Sequence, residues 1–199
     1  MIPIGPLMRE HRLIEQMISL MKAEVLTIAS NRQANPAFIE NAVDFFRTYG
    51  DRCHHGKEEE ILFARLRGKK LSPAHERIVS ELLEDHRLGR QTVGELLDAN
   101  DRYKSGSVAA LDDLGSLLGL LVAFYPEHIA KEDKTFFSPC MEYFTKPELQ
   151  TMLAEFWEFD RKLIHEKYGS MVAELEKRLQ PERVANNLQP FNRKAPDLV

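Results

Sequence analysis

Cysteine is scarce: the 199 residues hold two, Cys53 and Cys140, which form neither a CxxC pair nor a disulfide framework. That argues against a small secreted scaffold and against a thiolate metal site, and suits a reducing compartment. Basic charge is not in excess, with Lys plus Arg at 27 against Asp plus Glu at 31 and a net charge of -4, so no nucleic-acid partner is expected. Long apolar runs are missing too. The longest, near Leu117 to Tyr125, contains Gly119 and is closed by Pro126, about half of the ~20 residues that a membrane span requires. The opening MIPIGPLMREHR has no basic leader or long apolar stretch, so the expectation is a cytoplasmic protein without a membrane partner. Strand signals are almost absent.

What the chain has is helix. Its 43% hydrophobic residues are enough for one substantial core at this length. Leu13, Met17, Leu20, Met21 and Val25 recur at three- and four-residue intervals, predicting a first helix over about 7–30. Asn35-Pro36 and Ser72-Pro73 each place a capping side chain before a proline that tolerates the first helical position, opening a second helix that ends near Gly68 and a third that closes in the polar segment 100–106. A fourth helix is expected from Ser107 until Pro139 stops it, and T-x-x-E at Thr145 to Glu148 opens a fifth through Leu163, Tyr168, Val172 and Leu179. The predicted fold is therefore all-α. It is an antiparallel four-helix bundle over 1–141 with an added C-terminal helix over 142–180 and an irregular tail over 181–199.

An internal repeat selects the chemistry. Glu10-His11-Arg12-Leu13 on the first helix matches Asp85-His86-Arg87-Leu88 on the third. On the second and fourth helices, the stretches beginning at His54 and His128 both read H-x-x-K-E-[ED]-x-x-[LF]-F. The offsets agree, at 75 positions from 11 to 86 and 74 from 54 to 128. A helix hairpin is thus duplicated, each copy carrying one lone His and one His followed by Glu four residues later. An i, i+4 pair projects from one helical face, so packing the hairpins together brings His11, His54, His86, His128, Glu58 and Glu132 into one layer of the core.

The repeat also ranks competitors. Adjacent His54 and His55 lie about 100° apart on an α-helix, and only His54 has a histidine counterpart, so His55 is held in reserve with Asp133. His75 and His165 have none and read as structural or surface residues. Lys57 and Lys131 are expected in solvent or paired with nearby acids, and Glu15 and Arg90 on the surface, with an ion pair between them as the lesser alternative.

Mixed imidazole and carboxylate donors suit iron, manganese or zinc. Six of them exceed one tetrahedral site, and with Glu58 and Glu132 as bridges they divide between two ions, His11 and His54 serving one, His86 and His128 the other. Each ion then keeps an open position, which reactivity needs. A ferritin-like centre is excluded, because its signature places Glu three residues before His, whereas here Met8, Asp51, Arg52, Ser72, Leu83, Tyr125 and Lys162 stand there.

At these residues the chain resembles the hemerythrin-like, HHE cation-binding family over about 7–141, and most closely its members with four His and two Glu. The resemblance implies a four-helix bundle with a non-haem di-iron centre, two iron ions under an oxo or hydroxo bridge, held by the same six residues. It implies binding, sensing or turnover of a small oxidant: dioxygen, nitric oxide or peroxide. A regulatory iron or oxygen sensor and an iron storage protein are the alternatives, and the redox donor and any homo-oligomer are left open. Oxygen-carrying members draw a fifth His from HxxxH on the third helix, where this chain has Leu82 and Arg90 around His86. Their fourth-helix motif, HxxxxD, is also met by His128 and Asp133, which keeps Asp133 an alternative to Glu132.

Overall fold

The computed structural model describes residues 2–162, all of whose regular elements are helical. Its main compact unit runs to Phe159, and a second begins at Asp160. Helix α1 spans Ile4–Asn31 and ends where Arg32 turns left-handed at φ 54°, its N–H reaching Ile28 O. Asn35 caps α2, Pro36–Phe45, by accepting from Phe38 N at 3.1 Å. This helix passes without a break into π-helical turns at Phe46–His55 and Glu58–Phe63 and a last α turn at Ala64–Leu66. Helix α3, Pro73–Lys104, opens on the Ser72 cap, and Gly106, at φ 95°, makes the turn that follows.

Helix α4, Ala110–Lys131, runs on through π-helical Glu132–Phe136 and an α turn at Phe137–Cys140. The helix thus passes Pro139, which the sequence marked as its stop. That proline falls just after the π-helical turn and one residue before the last α turn ends at Cys140. The expected capping box is present: Thr145 N donates to Glu148 Oε2 at 2.7 Å and Glu148 N to Thr145 Oγ1 at 3.4 Å. It opens α5, helical over 146–162. The remainder of the predicted fifth helix, with Leu163, His165, Tyr168, Val172 and Leu179, and the tail over 181–199 lie outside the described residues.

The core is divided in two. One apolar cluster gathers Ile14, Ile18, Val43, Phe46, Val93 and Leu118, and the other Leu7, Leu62, Phe63, Leu82, Phe136 and Phe137, covered by Met152 and Phe156 of α5. Along each bundle helix a histidine falls between the two sets: His11 between Leu7 and Ile14, His54 between Phe46 and Leu62, His86 between Leu82 and Val93, His128 between Leu121 and Phe136. A buried polar layer therefore crosses the bundle between two apolar halves. Each fully buried Leu or Phe is worth roughly 1.5–3 kcal/mol, and these halves offset the cost of the layer.

Candidate metal centre

The layer contains His11, His54, His55, Glu58, His86, His128 and Glu132, none more than 3% exposed. They form two groups, His11 with His54, Glu58 and Glu132, and His55 with His86 and His128, in each of which one donor atom per residue lies within 4.8 Å of the others. The structure thus brings together all six residues selected by the repeat, with His11 and His54 in one group and His86 and His128 in the other. It also adds His55. That residue cannot share a face with His54 on an α-helix, but the π-helical turn Phe46–His55 is wound more widely, with i→i+5 bonds. Both imidazoles turn inward, and His55 stacks on His86 with centroids 3.8 Å apart. His55, held in reserve by the repeat, thus stands inside the layer; its counterpart in the second hairpin is Ile129.

The two carboxylates lie between the groups. Glu58 Oε1 is 3.6 Å from His54 Nε2 and its Oε2 is 3.4 Å from His86 Nε2. Glu132 Oε2 is 3.1 Å from His11 Nε2 and 3.4 Å from His128 Nε2, with Oε1 3.8 Å from His86 Nε2. None of these contacts has hydrogen-bond geometry. Both oxygens of both glutamates, both nitrogens of His55, and Nε2 of His86 and His128 are consequently buried without a hydrogen-bond partner. Native interiors leave few such atoms unpaired. A cation would satisfy them together, and the nitrogen and oxygen donors, with no thiolate among them, fit one.

Behind the imidazoles stands a ring of acids. His11 Nδ1 pairs with Asp133 Oδ1 at 2.7 Å, His86 Nδ1 with Glu59 Oε1 at 2.7 Å, His54 Nδ1 with Glu10 Oε2 at 3.0 Å and His128 Nδ1 with Asp85 Oδ2 at 3.3 Å. This arrangement orients each ring with its Nε2 inward and fixes its tautomer. Asp133 therefore sits behind His11, and Glu132 occupies the interior position for which Asp133 was the alternative. The ring repeats the internal symmetry: Glu10 and Asp85 precede matched histidines, and Lys57 and Lys131 hold them, Lys131 Nζ at 2.8 Å from Asp85. Lys57 is fully buried, unlike a solvated lysine. The Glu15–Arg90 pair is not formed, since Arg90 binds Asp51 at 2.7 Å and Glu59 at 2.5 Å while Glu15 meets Arg12. His75, read as structural, bonds Tyr143 Oη at 2.9 Å.

A duplicated hairpin bundle with a buried imidazole and carboxylate layer defines the class, a helical cation-binding protein. The chain belongs to the hemerythrin HHE cation-binding family, whose model, the hemerythrin HHE cation binding domain, matches residues 3–140. No curated protein and no solved structure matches it. Among the described residues no helix is long and apolar enough to cross a membrane.

Electrostatics without metal follow from burial. Glu58 is pushed well above the carboxylate range by burial and then by the Glu132 carboxylate. Glu132 stays well below that range because His128, His11 and His86 outweigh its own burial. Burial opposes protonation of His11, but Asp133 and Glu132 raise it to about 9, while burial overrides Glu10 and lowers His54 to about 4.

Two expected results arise here. Asp133→Asn and Glu59→Gln each remove one supporting charge and should weaken metal affinity by about 10- to 100-fold, measured by competition with a coloured chelator; unchanged affinity in both variants would show the acid ring to be idle. The second concerns pH. In the metal-free fold the raised values of His11 and Glu58 favour keeping protons there, and cation binding must expel them, so affinity rises with pH. The raised His11 value contributes stability fully present below about pH 6.5 and lost as pH rises through about 9. The gap in Tm between loaded and stripped protein should therefore widen from pH 6 to pH 8 in parallel thermal melts.

Proposed function

We propose that the layer holds two iron ions and that the protein binds and reacts with a small oxidant, dioxygen, nitric oxide or peroxide, in the cytoplasm. The observation that carries this reading is the gathering of buried imidazole and carboxylate donors in two adjacent groups, with the oxygens of Glu58 and Glu132 and nitrogens of His55, His86 and His128 left unpartnered. Glu58 and Glu132 would bridge. His55, His86 and His128 would complete one ion, and His11 and His54 the other, which is left one protein donor short. Iron there would supply reversible electron transfer and an open coordination position.

The chain's own residues set the conditions. The acids behind His11, His54, His86 and His128 hold each of these four imidazoles in one tautomer. Phe137 stacks on His11 at 5.6 Å, Phe124 on His128 at 5.7 Å and Phe63 on His86 at 6.1 Å, shielding the donors from water. The fifth histidine supplies the asymmetry that oxygen-carrying relatives draw from HxxxH, so reversible binding is open to this protein although that motif is missing. Both cysteines are buried, and so small a number of them suits a reducing compartment.

Metal analysis joined to anaerobic and aerobic spectra tests the proposal. The expected result is about two irons per chain and, after exposure to air, near-ultraviolet oxo-to-iron absorption. A colourless protein that retains only zinc overturns it.

A further inference from the structure

Four of the five histidines have Nδ1 fixed by a carboxylate within 3.3 Å. His55 has not. Its nearest acid, Asp51, is 3.5 Å from Nδ1 and makes no hydrogen bond, and neither ring nitrogen has a hydrogen-bond partner although the residue is 3% exposed. The same side chain faces a cavity of about 200 Å³ between α2, α3 and α4, walled by Phe46, Val93 and Tyr125. That volume lies below the ~300 Å³ at which ordinary ligand pockets begin, so the space suits a molecule of a few atoms. Gly89 lines it as well, and a Cβ there would meet Tyr125 Oη at 3.4 Å.

Arg47, Asp51 and Arg90 stand at its more polar side. The Arg90 guanidinium is already shared by Asp51 and Glu59, which leaves little net field to select an anion. Apolar walls, with Arg47 and Arg90 at one end offset by Asp51 and Glu59, favour a neutral molecule that fits between them.

We propose that this cavity is a small-molecule site, which admits a neutral diatomic or peroxide-sized molecule to the outer face of His55. It lies on the three-histidine side, away from the ion assigned the open position, and makes His55 the one donor with both room to move and no acid holding it. The inference extends the proposed function, since the molecule admitted belongs to the same class of small oxidant, but its test requires no iron.

Dioxygen itself is the probe. The full chain, stripped of metal and separately loaded with zinc, is labelled at valine methyl groups, and relaxation is measured under nitrogen and under dissolved dioxygen. Val93 and Val43 are equally buried, at 3% and 4%, but only Val93 lines the cavity. The paramagnetic enhancement at Val93 is expected to be several-fold that at Val43, and Gly89→Leu, whose side chain would extend into the space, should bring the two together. Equal enhancement in the unsubstituted chain overturns the proposal, a comparison that does not depend on the variant folding. A strong Val93 effect in a protein that never binds iron would leave the cavity standing while removing the di-iron reading.

Discussion

Anaerobic addition of two equivalents of ferrous iron to stripped protein should raise its Tm by about 8–16 °C. Binding to the folded chain alone stabilises by ~4 kcal/mol when free ligand is a thousandfold above Kd, and at this size each kcal/mol moves Tm by about 2–4 °C. The source is visible in the layer. Without a cation, Glu58 must stay protonated beside ionised Glu132, and the orphaned nitrogens and oxygens bear their desolvation unrewarded. Calorimetry with and without iron checks this. A shift below a degree or two would mean that the fold satisfies those atoms in some other way, with water for instance, and that the layer is not a strong cation site.

His54→Ala and His55→Ala should both lower metal occupancy, each by more than the 10- to 100-fold in affinity that loss of a supporting acid costs. Their signatures differ. His54→Ala strips the two-histidine group of half its nitrogen donors, and His55→Ala leaves His86 and His128 with both carboxylates, so the latter should keep one ion tightly and hold the second loosely. Titration monitored by metal analysis after gel filtration separates them. Full retention of two ions by His55→Ala would restore the α-helical expectation that sets this residue aside, and would contradict the grouping around His86.

The bundle and the polar layer were legible in the sequence because duplication supplied an internal control. A single lone His or one HxxxE pair is ambiguous, but His11 with His86, and His54 to Glu58 with His128 to Glu132, constrain one another. His55 was not legible by that route. It has no partner in the repeat, and the 100° rule that placed it in reserve assumes an α-helix, whereas Phe46–His55 is π-helical. The adjacency of two histidines before Lys-Glu-Glu was the only local sign. The acid ring was half legible: Glu59 and Asp133 are matched by the repeat, yet a sequence shows which residues correspond and not whether a carboxylate stands before or behind an imidazole. Arg90 lies at the surface as its sequence position suggests, but its partners Asp51 and Glu59 sit on a neighbouring helix and not at the repeat-related position, so the repeat could not name them.

The acid ring crosses between the hairpins. His11 of the first is held by Asp133 of the second, and His86 of the second by Glu59 of the first. Neither hairpin alone could therefore orient its lone imidazole, and a solitary copy would need a second copy facing it before that ring was held. In architectural terms the chain resembles a two-fold pair of hairpins tethered through residues 67–72, with Ile129 standing where the first hairpin offers His55.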